Sequence, residues 1–80
     1  RAQRAPLMRR IKALETELES AERQLSQIQT RLAEPGMYSD QEREQLRLLV
    51  RDEGQLKGHQ SQLEEQWLAL QEQLEAALEE

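Results

Sequence analysis

Residues 7–36 read LMRRIKALETELESAERQLSQIQTRLAEPG, and this stretch decides the fold. Its apolar residues are Leu7, Ile11, Leu14, Leu18, Ala21, Leu25, Ile28 and Leu32, with steps that alternate between four and three. Because an α-helix turns once per 3.6 residues, this spacing gathers the side chains into one stripe, the seam of a coiled coil. With Ile11 at heptad position a, Leu14 is d, Leu18 a, Ala21 d, Leu25 a, Ile28 d and Leu32 a. Pro6 fits the first turn, where its missing N–H does no harm. The stripe stops at Pro35-Gly36. Proline biases Glu34 away from helix, and Gly36 is expected to take the left-handed conformation that ends one.

A second stripe runs through Leu46, Leu49, Leu56, Leu63, Trp67, Leu70, Leu74 and Ala77, and with Leu46 as a its phase holds to the end of the chain. Ser39 with Glu42 has the spacing of a capping box, which predicts that the Ser39 side chain caps helix 2. Met37 and Tyr38 fall at the tip of the connection and are expected to cover the end of the seam near Leu32 and Leu46. Two a positions, Glu53 and Gln60, are polar, which weakens a coil but can fix its register. Gly54 and Gly58 fall on the outer face, and each should weaken the helix by ~1 kcal/mol relative to Ala.

Two helices of similar length joined by a short turn fold back antiparallel. The expected fold class is therefore all-α, an antiparallel two-helix coiled-coil hairpin. One domain spans residues 1–80, with a basic linker end at 1–5, helix 1 at 6–34, a turn at 35–39 and helix 2 at 40–79. Folding about that turn puts Leu32 near Leu46, Leu25 near Glu53, Ala21 near Leu56, Leu14 near Leu63 and Ile11 near Trp67. On the flanks, Glu22 comes near Lys57 and Glu17 near His59. At 1.5 Å per residue each helix is ~40–55 Å long, a rod with no concave site able to enclose a small molecule.

Composition agrees. Charged residues are 34% of the chain and hydrophobic residues 36%, a balance found in coiled coils and disordered chains; the regular Leu spacing selects the former. There is no Cys, so disulfides and Cys-based zinc sites are excluded, as fits a reducing cytoplasm. No apolar run approaches the ~18 residues of a membrane span. The chain starts with Arg1 rather than Met and is read as a piece of a longer protein.

Catalytic constellations are not visible: there is one His, no Cys and no Gly-rich phosphate loop. His59 has no second ligand at i+4, and metal sites need clustered ligands. Trp67 is in phase with Leu63, Leu70 and Leu74, and is read as a seam residue covering Ile11 and Leu7 with its N–H at the edge; the alternative is a binding anchor.

Charge is unevenly spread. Residues 1–35 hold seven Arg/Lys against five Glu, whereas residues 36–80 hold four against eleven Asp/Glu. Arg1, Arg4, Arg9, Arg10 and Lys12 form the concentrated basic patch, although cations near a helix N-terminus oppose its macrodipole. Two arrangements account for them. In an antiparallel hairpin this end lies beside the acidic end of helix 2, with Glu72, Glu75, Glu79 and Glu80. Alternatively the patch meets a phosphate backbone, with Arg9, Lys12 and Arg23 on outward b and f positions.

The segment MYSDQEREQLRLLVRDEGQLKGHQSQLEEQWLALQEQLEAAL, residues 37–78, resembles the C-terminal coiled-coil domain of ABC-F ATPases, in particular the YheS/Uup-like branch. The carrying features are a turn with Tyr38 and Asp40 and a second helix with LEEQWLALQEQLE around Trp67. The basic start resembles the linker that leaves the second ATPase domain of such proteins. The resemblance implies a non-catalytic module of a soluble, cytoplasmic ATP-binding protein that acts on ribosomes as a translation factor. ATP and Mg would bind only in the parent's ATPase domains, not in these residues.

By the same resemblance the hairpin contacts nucleic acid, DNA or ribosomal RNA, through Arg1, Arg4, Arg9, Arg10, Lys12 and Arg23. The acidic total implies a weak, salt-sensitive contact. The alternative is a protein–protein or spacer hairpin that packs on its own ATPase domains or self-associates. As a fragment the chain is expected to be a monomer with no membrane association.

Overall fold

A computed structural model describes residues 4–79 and bears out the all-α hairpin. The first Leu stripe lies on α1 (Arg4–Leu32) and the second on α2 (Arg43–Leu78). Between them are two short 3₁₀ turns, Pro35–Tyr38 and Asp40–Glu42. The Cα positions span 61 × 15 × 14 Å, the dimensions of two helices side by side. Leu7, Ile11, Ala21 and Leu25 of α1 and Leu49, Leu63, Leu70 and Ala77 of α2 are buried, and all are a or d positions. Leu14, Leu18, Ile28, Leu46 and Leu56, also a or d, are half-buried, as expected of a two-helix seam open on both sides.

The connection is longer than a Pro-Gly turn and is closed differently. α1 ends as its bonds tighten: Ala33 N is shared between Gln29 O (i→i+4) and Thr30 O (i→i+3), and Glu34 N donates to Arg31 O (i→i+3). Such bonds satisfy orphan carbonyls without a left-handed residue. Glu34 is extended, as a residue before proline should be. Gly36, contrary to expectation, has no positive φ, because it lies inside the 3₁₀ turn that Pro35 starts.

The capping box does not form either. Ser39 is extended, as a cap residue would be, but its side chain makes no capping bond; the backbone does the work, with Ser39 N donating to Gly36 O and Glu42 N to Ser39 O. The start of α2 is supported by charge, since Asp40, Glu42 and Glu44 lie where the helix dipole favours anions. Arg47 hydrogen-bonds Glu44, at 2.6 Å for Nη2 to Oε1. The bond and the cation's charge lower the Glu44 pKa and raise that of Arg47. At the tip, Met37 is buried against the seam as expected. The Tyr38 ring stays exposed, and its hydroxyl donates to Leu32 O at 2.7 Å, filling another orphan carbonyl.

The longer connection resets the register. Among the described residues three hydrogen bonds cross between the helices: Arg4 to Ala77, Trp67 to Glu15 and Gln29 to Glu53. In each the two residue numbers add to 81 or 82. The expected pairs add to 77 or 78, because they assume a turn centred near residue 39 rather than near 41. The observed offset places every a residue of α1 opposite a d residue of α2. Ile11 meets Leu70 rather than Trp67, and both belong to the apolar cluster at the open end with Leu7, Leu14, Leu74 and Ala77.

The same offset explains the two polar a positions. Glu53 accepts from Gln29 Nε2 at 3.5 Å, and Gln60 falls opposite Ala21, where a small side chain leaves it room. On the flanks, Glu17 and His59 line one shallow groove, as expected, and Lys57 makes its ion pair with Glu53 on its own helix at 3.8 Å. Gly54 and Gly58 lie on the exposed outer face, where an added Cβ would meet nothing within 4 Å.

Candidate functional site

The open end of the hairpin is where α1 begins and α2 stops. Stepping the α1 stripe back from Leu7 puts Arg4 at an a position, on the seam rather than the surface. Its side chain is half-buried, its Nη2 donates to Ala77 O at 3.2 Å, and its Nε is buried with no hydrogen-bond partner. Ala77, opposite, is small and buried, which lets the long Arg stem cross. The last carbonyls of a helix have no intrahelical partners and carry the negative end of its dipole. A cation that is unfavourable at the start of its own helix is thus favourable against the end of its antiparallel neighbour.

The acidic residues of that neighbour take no such part. The ion pairs among the described residues are all local: Arg31–Glu34, Arg43–Asp40, Arg47–Glu44, Arg51–Asp52 and Lys57–Glu53. Glu72, Glu75 and Glu79 pair with no described cation, so the expected neutralisation of the basic end by the acidic end of α2 is not made by direct contact there. Glu80 lies outside the described residues.

The other proposed site residues separate into groups. Arg1 lies outside the described residues. Arg9, Arg10 and Lys12 are exposed and pair with no described carboxylate. They lie within one helical turn, ~4.5 Å along the axis, with Arg9 and Lys12 facing outward. Arg23 is exposed on the same outward face but ~17 Å beyond Lys12. Exposed Glu19 intervenes, so the fold does not join Arg23 to the cluster. Of the six residues, the hairpin therefore sets Arg9 and Lys12 on one outward face, places Arg10 in the same turn on the flank beside Leu14 and Gln66, and turns Arg4 inward. The sequence signal for Arg4 was its heptad phase, legible once the stripe is carried one step past Leu7.

Trp67 behaves as a seam residue with a polar edge. It packs half-buried against the open-end cluster, and its Nε1 donates to Glu15 Oε2 at 3.1 Å. Among the described residues there is no group of three or more His, Cys, Asp or Glu placed to hold a metal ion. No described helix is long and apolar enough to cross a membrane.

Residues 6–72 match the family model described as the ABC transporter C-terminal domain. No curated protein and no solved structure matches the chain.

Proposed function

This chain belongs to the ABC transporter C-terminal domain family, and from that premise we propose that it is a nucleic-acid-contacting accessory hairpin of an ABC-F-type ATP-binding protein of the YheS/Uup-like branch. The family match spans both helices and the turn, which supports a non-catalytic C-terminal module. The observation that carries the nucleic-acid reading is the cluster of Arg9, Arg10 and Lys12: three exposed cations in one turn, unpaired by any described carboxylate, at a helix start whose dipole disfavours them.

Their chemistry suits a phosphate backbone, DNA or ribosomal RNA, in a parent whose ATP and Mg are bound by other domains. Arg4 supports the cluster by fastening α1 to α2, Arg1 adds a further cation in the sequence, and Arg23 offers a separate contact ~17 Å away. No aromatic platform accompanies these cations, so the contact reads backbone and not bases. The net charge of −5 keeps it weak.

Replacing Arg9, Arg10 and Lys12 together with Gln tests the proposal. The unsubstituted chain should be retained on duplex DNA or ribosomal RNA at low salt, with log K falling against log salt by roughly 2.7 per decade on duplex DNA if three phosphates are neutralised. The triple variant should lose that retention while keeping its helical circular dichroism. Equal retention of the variant would defeat the reading.

A further inference from the structure

The two long flanks of the hairpin differ in chemistry. On one flank the g positions, from Arg10 to Gln73, are polar throughout. On the other, the e positions include Met8, Val50 and Leu78, exposed at 59%, 53% and 56%. Met8 and Leu78 are at the open end, and Val50 lies 28 residues, ~42 Å, from Leu78 along α2, with Lys57, Glu64 and Gln71 at the e positions between. Between the helices on this flank is an open groove of about 520 Å³ lined by Glu15, Leu18, Glu19, Glu64 and Trp67. Leu18 and Trp67 are half-buried and form its apolar floor, and the three carboxylates are exposed around it. The bond from Trp67 Nε1 to Glu15 Oε2 holds the indole there.

We propose that this flank docks a basic amphipathic helix of a partner protein. A third helix laid along a two-helix seam buries its apolar stripe against the exposed e positions and the groove floor, the helix-in-groove mode of recognition. Its Lys or Arg residues meet Glu15, Glu19 and Glu64, and a cationic stem can lie over the indole. Charge selects this occupant. Three carboxylates repel a phosphate backbone, so the surface is distinct from the cation cluster. A second copy docked by the same flank would set the same carboxylates against each other.

Trp67 is the only tryptophan, so its emission reports the groove directly. The probes are synthetic amphipathic peptides of about four heptads, ~42 Å as helix and long enough to run from Val50 past the groove to Leu78: one of Leu and Lys, one of Leu and Glu, and one with the Leu/Lys order scrambled. The Leu/Lys helix should bind saturably with a blue shift of Trp67 emission, and the other two should not. The variant E15Q/E19Q/E64Q should weaken that binding about tenfold. A control variant E34Q/E42Q/E72Q, with the same change in net charge away from the groove, should retain it. Equal losses in the two variants, equal binding of the scrambled peptide, or a concentration-dependent dimer that buries Trp67 without any peptide would each overturn the proposal.

Discussion

Ser39 shows where local rules and the folded chain part. A Ser followed three residues later by Glu, just before a helix, has the pattern of a reciprocal cap, yet the hydroxyl makes no capping bond because a 3₁₀ turn is inserted before α2. Replacing a working cap with Ala costs ~1 kcal/mol. Ser39→Ala should therefore leave the chemical denaturation midpoint nearly unchanged, and a loss near that value would restore the capping box. Gly36 departs from the expected left-handed glycine for a related reason: a Pro-Gly pair can end a helix through a left-handed glycine or open a 3₁₀ turn, and only the latter is used. Arg4 was legible by phase but is easily grouped with its basic neighbours. A charge count treats the basic residues alike, whereas the heptad phase sets one of them, Arg4, on the seam.

The helices themselves were plain in the chain, because Leu at steps of three and four leaves no other way to bury so much apolar surface. Register was not. It depends on the length of the connection, which Pro35-Gly36 begins but does not bound, and each residue by which the turn's centre moves shifts the pairing by two. Cysteine pairs can read the register cleanly, since the chain has no Cys of its own. Leu18→Cys with Leu63→Cys, opposite in the observed register, should oxidise faster than Leu18→Cys with Gln60→Cys, which the shorter turn would bring together. The reverse order would contradict the pairing described. Helix 2 also holds two glycines on its open face. Gly54→Ala and Gly58→Ala should each stabilise the hairpin by about 1 kcal/mol, since the new methyl meets nothing. In a chain of this size that is a rise in Tm of roughly 4–8 °C per substitution. A fall would mean that the outer face of α2 is packed against something.

At the scale of the whole molecule, the hairpin is a ruler with different chemistry along its length and sides. Its Leu seam sets direction, and Arg4 ties the open end to the last carbonyls of α2. That leaves Arg9, Arg10 and Lys12 projecting from a chain that is otherwise acidic. The sequence could bring cations to one end, but not say which of them the fold would consume, because that depends on the register. Per-residue NMR shifts during titration with duplex DNA and with RNA, at two salt concentrations, test this division most directly. Shifts should concentrate at residues 9–12 and fade at the higher salt, with the groove at Glu15 and Trp67 undisturbed. Shifts spread evenly along both helices, or none at residues 9–12 at low salt, would contradict it.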